Sequence, residues 1–307
     1  MARLRKQAEV EAEDPEAEVE LEPTPALAGI GPQPEPLPEP PAKERLSPLF
    51  RSGIPAIGAI AGRELGAYFL SPVGWVVIPL VLAIVSLFGF VAPLAIAGSL
   101  SGLSAAFGTA SFLMLLFVPA FTMRAFSEER RQGTLELLLT SPVRDWEAVL
   151  GKWLGCFFFT CLALAPLLVY AVLFLVFLPK TTLTLYGLPI AIGNLDFGLA
   201  ASGYLGLVVE AAVLTGLGVM MSALTGNQVI ALIATWVAGL VLWYIGNTAV
   251  LFAPGVSDFL SYIGGSNRYD GFSRGAVGLK DVTYFATVTL ACLFVAVRVL
   301  ESRRWRG

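Results

Sequence analysis

The chain contains no histidine, which removes the commonest metal ligand and the commonest general base together. Cysteine is scarce. Cys156, Cys161 and Cys292 stand inside apolar runs with no CxxC spacing and read as buried structural thiols rather than a disulfide or a metal site. There is no GxxxxGK[ST] phosphate loop, no HExxH pair and no GxSxG elbow, so no catalytic residue is assigned and no ATP hydrolysis is expected of this chain. Charge is scarce too: charged residues make up 14% of the 307 and hydrophobic ones 56%, where a globular domain carries about 25% charged. The apolar residues come in unbroken runs rather than at helical or strand period. Such runs fit a ~30 Å hydrocarbon core, which takes about 20 helical residues to cross.

Six runs are long enough, at about residues 73–97, 103–123, 149–178, 199–223, 229–250 and 282–300. The third is long for one crossing and is expected to tilt or project. Before the first lies a segment from Ile54 to Leu70 with Ile57, Ile60, Ala61, Leu65, Tyr68 and Phe69 on one helical face and Arg63 roughly opposite. Glu64 is the exception, at the edge of the apolar face. This helix is expected to lie in the membrane interface and to end at Ser71-Pro72, because the residue before proline disfavours helix. The predicted fold is therefore an all-α integral membrane protein, six transmembrane helices preceded by an amphipathic interfacial helix. Trp75, Trp243 and Tyr244, near run ends, read as aromatic anchors.

Residues 1–48 form a separate region, set apart from a membrane domain at 49–307. They hold 10 of the 20 prolines, and residues 1–47 carry 11 acidic and 5 basic residues. That composition predicts a disordered, partly polyproline-extended cytoplasmic tail. Elsewhere Lys and Arg cluster before the first run, between the second and third, and after the sixth. The loop from Pro179 to Phe197 has only Lys180, and Arg268, Arg274 and Lys280 are balanced by Asp258, Asp270 and Asp281. Both termini are expected in the cytoplasm.

The segment from Phe126 to Lys152 carries the strongest local signal. Ser127 reads as a helix N-cap with Glu128 and Glu129 in the first turn. Leu135, Leu138 and Leu139 then make an apolar stripe, and Ser141-Pro142 stops one helix and starts another. A short cytoplasmic helix this close to the third run is either a lever that a partner grips or a plain interfacial hairpin.

The stretch Glu129-Arg130-Arg131-Gln132-Gly133-Thr134-Leu135-Glu136-Leu137-Leu138-Leu139-Thr140-Ser141-Pro142 resembles the cytoplasmic coupling region of ABC transporter permeases of the type 2 exporter class. The likeness is closest to the branch that includes gliding-motility permeases and the permease of nitrous-oxide-reductase maturation. Four further stretches resemble the same branch in order: Arg63-Glu64-Leu65-Gly66-Ala67-Tyr68-Phe69-Leu70-Ser71-Pro72, Gly193-Asn194-Leu195-Asp196-Phe197-Gly198, Ser222-Ala223-Leu224-Thr225-Gly226-Asn227-Gln228, and Phe272-Ser273-Arg274-Gly275 through Leu300-Glu301-Ser302-Arg303-Arg304-Trp305. The resemblance implies a permease subunit of a bacterial-type inner (plasma) membrane that pairs with a second permease, identical or not. It also implies ABC ATPase subunits that bind the ATP and magnesium, with no cofactor in this chain and no nucleic-acid partner. Glu129, Arg130, Gly133, Thr134, Leu135, Glu136, Leu138, Leu139 and Pro142 would then serve ATPase coupling, and Arg63, Glu64, Phe69 and Pro72 would belong to the interfacial helix. The same resemblance implies that the region from Leu251 to Asp281 folds back into the outer leaflet. The alternative is a membrane anchor of an ATPase-driven motility or assembly machine that moves no solute.

Glu210 is the one carboxylate near the middle of a run. A charge at the bilayer centre costs at least about 2.5–3.5 kcal/mol, so it should face the bundle or a wet cavity. It either lines a path or makes a hydrogen bond between helices. Ser202 and Gly206, at four-residue intervals before it, give a small face that permits close helix approach. Asp196 is expected to cap the fourth run after an outer turn, and Thr225-Gly226-Asn227 to form a tight turn at positive φ. With no histidine and Met220-Met221 as the sole methionine pair, a copper cargo is not expected.

Overall fold

The computed structural model describes residues 53–92, 102–134, 143–177, 183–185, 188–190 and 197–304. The tail at 1–48, the leucine stripe from Leu135 to Pro142 and the outer turn with Asp196 lie outside them.

The chain opens with helix α1 (Ile54–Leu70), which stops at Ser71 in extended conformation. Helix α2 (Pro72–Ile84) follows and runs on as a π-helical stretch, Val85–Val91. The limbs Ile54–Leu70 and Gly74–Gly89 are bent by 74°. The bend needs a glycine at its inner corner, because a Cβ on Gly74 would run into the Tyr68 carbonyl oxygen. Helix α3 (Gly102–Thr122) is followed closely by α4 (Arg124–Arg131). The long third run is two helices, α5 (Asp145–Leu164) and α6 (Pro166–Phe177). Pro166 cannot donate its backbone nitrogen and interrupts the helical hydrogen bonding there, while Asp145–Tyr170 remains one candidate span. A small antiparallel hairpin pairs Leu183–Leu185 with Leu188–Ile190. Helix α7 (Phe197–Leu224) is the longest at 28 residues, and α8 (Gln228–Tyr244) ends in a 3₁₀ stretch, Ile245–Leu251. Two short helices, α9 (Pro254–Ile263) and α10 (Gly265–Ser273), precede α11 (Leu279–Arg304).

Among the described residues, five helical stretches are long and apolar enough to cross a membrane by themselves: Ser104–Arg131, Asp145–Tyr170, Gly198–Leu224, Gln228–Leu251 and Leu279–Arg303. The bent pair raises the number to six. The fold is thus an all-α multi-pass membrane bundle with α7 at its centre, packed on α3, α5, α8, α10 and α11. One end of the bundle carries α1, α4 and the α7–α8 turn. Its opposite end carries α9 and α10, fastened by Tyr269 Oη donating to the Phe107 carbonyl (3.3 Å) and Ser202 Oγ donating to the Phe272 carbonyl (2.9 Å). The small face of α7 receives α10 here, since Gly206 lies directly against Phe272 and Tyr269.

Three local expectations are corrected. Trp243 is no anchor: it is 4% exposed and packs between Tyr269 and Phe285. In the turn before α8 neither Gly226 nor Asn227 takes positive φ; Asn227 sits at φ −113° and caps α8 by accepting from the Val229 N–H (2.9 Å). Ser127 is no N-cap. It lies inside α4, buried, and its hydroxyl donates to the Met123 carbonyl.

Candidate functional site

Helix α1 lies against α5 through two glycines one helical turn apart. A Cβ on Gly151 would come to 2.7 Å from the Ile60 Cβ, and one on Gly155 to 2.6 Å from the Glu64 Cβ. This small-xxx-small spacing lets two backbones approach closely. Between the glycines, Lys152 projects into the junction with its side chain 2% exposed. Its Nζ reaches Glu64 Oε1 at 2.6 Å and Glu129 Oε1 at 2.9 Å, and it stands 5.2 Å from the centroid of the Phe126 ring. Arg63 closes the cluster from outside, with Nη2 3.1 Å from Glu129 Oε1 and 3.7 Å from Glu64 Oε1. Two carboxylates thus balance two cations, as burial of charge requires. One lysine on the third span joins α1 to α4. Glu64, out of place on an apolar face, is there because Lys152 faces it.

A third carboxylate ties α1 to α5 one turn earlier. Glu147, fully buried, accepts from the Arg144 N–H (3.0 Å) at the start of its own helix and from the Gly53 N–H (2.8 Å) at the start of α1. At the far end of α1, Tyr68 Oη donates to the Phe121 carbonyl (3.1 Å), lies within hydrogen-bonding distance of the Cys156 sulfur (3.2 Å) and stacks on Phe159. So α1 is held to α5 along its length and to α3 at its far end. Of the residues expected in the interfacial helix, Arg63 and Glu64 enter the cluster, the Phe69 ring meets Phe159 edge-on, and Pro72 opens α2.

Of the residues expected to couple to a partner, the structure describes Glu129, Arg130, Gly133 and Thr134. They do not begin a long helix. Gly133 adopts φ +70° and Thr134 N–H returns to the Glu129 carbonyl (2.9 Å), a helix-terminating pattern that calls for glycine. The helix therefore ends at Arg131. Arg130 lies across the α7–α8 turn, its Cδ 3.2 Å from where a Cβ of Gly226 would stand. Leu135, Glu136, Leu138, Leu139 and Pro142 lie outside the described residues.

The step from α3 to α4 is spliced by a side chain of α7. Ser222 Oγ accepts from the N–H groups of Phe126 and Ser127 (3.0 Å each) and donates to the Met123 carbonyl (2.9 Å). Lys152, Glu147, Ser222 and the two glycines were not among the candidate residues read from sequence. The Gly151-x-x-x-Gly155 spacing is visible there, but neither its partner nor that of Ser222 is.

Glu210 is fully buried in the middle of α7. Its Oε1 accepts from Ser111 Oγ on α3 (3.0 Å), and its Oε2 has no partner among the described residues. A hydrogen bond between helices is what the geometry provides. We expect Glu210→Gln, which preserves an acceptor for Ser111, to keep the melting temperature in detergent. Glu210→Leu, which orphans the hydroxyl, should cost about 1–3 kcal/mol. Loss of transport in Glu210→Gln at unchanged stability would instead assign the carboxylate to the transport path. Among the described residues no group of three or more His, Cys, Asp or Glu is placed to hold a metal ion.

Compared with known proteins, residues 94–300 match the family described as ABC-2 family transporter protein. No curated protein matches the chain.

Proposed function

Because the chain belongs to the ABC-2 transporter family and is a multi-pass permease subunit of an ABC transporter, we propose that it moves its substrate outward, driven by ATP hydrolysis in a separate subunit docked near residues 133–142. The observation that supports this reading is the Lys152 bridge. A push on the stretch beyond Gly133 reaches α4 directly, and from Glu129 the bridge passes it to the third span at Lys152 and to α1 at Glu64. Lys152 and the solvent-exposed Arg63 hold Glu129 at the same time, so a displacement of α4 acts on α1 and on the third span together.

In this reading the end of the bundle with α1 and α4 faces the cytoplasm, as do both termini, in a bacterial-type inner membrane. ATP and magnesium bind to the ATPase and not to this chain. A second permease copy, identical or not, completes the transporter, and the five ordered stretches of resemblance support a kinship with the gliding-motility and nitrous-oxide-reductase-maturation branch. Cross-linking from Leu138→Cys in membranes tests the docking claim. It is expected to capture an ATP-binding subunit, and failure to capture one while the protein remains folded and abundant sinks it.

A further inference from the structure

At the end of the bundle opposite the Lys152 bridge, between α9, α10 and the start of α11, lies a cavity of about 360 Å³. Its floor is Arg268, 7% exposed. The guanidinium is clamped between the rings of Tyr262 and Tyr284, with centroid distances of 4.2 and 4.4 Å. Its Nε donates to the Tyr262 carbonyl (2.9 Å) and its Nη1 to Asp281 Oδ1 (2.8 Å). Arg268 Nη2 has no hydrogen-bond partner among the described residues, which leaves two donors of a rigid fork available on a pre-positioned cation. Lys280 and Asp258 also line the cavity, and neither forms an ion pair among the described residues. Arg268 and Asp281 neutralise each other, so what the cavity offers an incoming molecule is one free cation and one free carboxylate.

The surroundings are apolar. Phe259, Tyr262, Val277 and Leu279 are exposed around it, at the level where α8 ends and α11 begins. A polar, charge-balanced pocket with an apolar rim at the end of membrane-crossing helices suits a group that lives at the lipid–water boundary. The geometry points to a binding site for the headgroup of a zwitterionic phospholipid with a primary amine, a phosphatidylethanolamine. Its phosphate would meet Arg268 Nη2 and the Lys280 ammonium, and its ammonium the Asp258 carboxylate and the Asn267 amide oxygen. Asn267 uses its Nδ2 on the Ser261 carbonyl (3.4 Å), leaving that oxygen to accept. A quaternary ammonium suits the site less: it donates no hydrogen bond, and the inward faces of both tyrosine rings already carry Arg268.

The full-length protein, delipidated and returned to nanodiscs with equal parts palmitoyl-oleoyl phosphatidylethanolamine, phosphatidylcholine and phosphatidylglycerol, tests this by native mass spectrometry of retained lipid. The ethanolamine lipid is expected to be retained about tenfold over the other two, the equivalent of roughly one charge-assisted contact. Asp258 and Lys280 are both exposed, so Asp258→Ala and Lys280→Ala should fold normally, and each is expected to lower that retention about fivefold. In Asp258→Ala the preference over the anionic glycerol lipid should shrink to about twofold or less. Equal retention of all three lipids, or a preference unchanged in both variants, overturns the proposal. Soluble glycerophosphoethanolamine is expected not to displace the bound lipid at equal concentration; displacement would overturn the lipid assignment in favour of a soluble zwitterion. None of these residues touches the Lys152 bridge, so either outcome leaves the ATPase-coupling reading standing.

Discussion

Lys152→Ala is expected to lower the stability of the permease by about 3–5 kcal/mol, because it strands two carboxylates around a site from which their buried cation has gone. The magnitude follows from position rather than from the number of contacts. Lys152 has 2% of its side chain exposed and lies 2.6 and 2.9 Å from Glu64 and Glu129. Arg63 contacts the same carboxylates, yet its side chain is 66% exposed, so solvent screens it, and Arg63→Ala should cost no more than about 1 kcal/mol. Thermal or denaturant unfolding of the purified protein in detergent measures both. The control removes the three inner charges and leaves only the exposed Arg63: Lys152→Met combined with Glu64→Gln and Glu129→Gln. Replacing a whole buried ion cluster by neutral groups of similar volume is often close to neutral, so the triple variant should recover most of the lost stability.

Recovery of the fold without recovery of ATP-driven transport would identify the bridge as a transmission element rather than a staple. Transport restored together with stability in the neutral triple variant would make the charges structural only. Equal losses in Lys152→Ala and Arg63→Ala would contradict the burial argument itself.

Much of this architecture is legible in the sequence for one physical reason. A bilayer of fixed thickness demands apolar runs of fixed length, and the runs at 103–123, 199–223, 229–250 and 282–300 coincide closely with α3, α7, α8 and α11. The bend at Ser71-Pro72 is equally legible, since proline acts on the residue before it whatever the tertiary context. What escapes are facts that need two distant segments at once. Glu64 stands out in the sequence as a misfit on an apolar face, but its explanation lies 88 residues away at Lys152. Ser127 looks like a cap because it is a serine before two glutamates. In the structure the helix has already begun at Arg124, and Ser222, 95 residues away, supplies the acceptor its backbone needs. Gly133 carries the signal for the stop at Arg131, since glycine after a charged turn favours a left-handed terminus. Trp243 lies at a run end, where a tryptophan normally meets the interface, and only the packing of α10 against α8 shows why it is buried.

Gly155→Leu is expected to prevent α1 from seating on α5, with loss of transport and a marked loss of folded protein. The first methyl alone meets backbone-proximal atoms: a Cβ at Gly155 stands 2.6 Å from the Glu64 Cβ and 3.2 Å from the Ala61 carbonyl oxygen, and at Gly151 2.7 Å from the Ile60 Cβ and 3.1 Å from the Ile57 carbonyl oxygen. None of these is the free end of a flexible side chain, so relief requires moving α1 as a body. Gly155→Ala should therefore cost about 1–3 kcal/mol as an overpacked contact. The displacement would also draw Glu64 away from Lys152, so transport should fall further than stability does. Gly62, on α1 itself, is the control. Nothing lies within 4 Å of a Cβ placed there, and alanine in a helix interior is favoured over glycine by roughly 0.5–1 kcal/mol. Gly62→Ala should thus be neutral or stabilising in the same unfolding assay. A double-mutant cycle separates steric from general effects: Ile60→Gly removes both side-chain atoms that a Cβ at Gly151 would meet. Gly151→Ala should therefore cost less in the Ile60→Gly background than alone. Strict additivity of the two changes would show that the α1–α5 contact is looser than the glycine spacing requires.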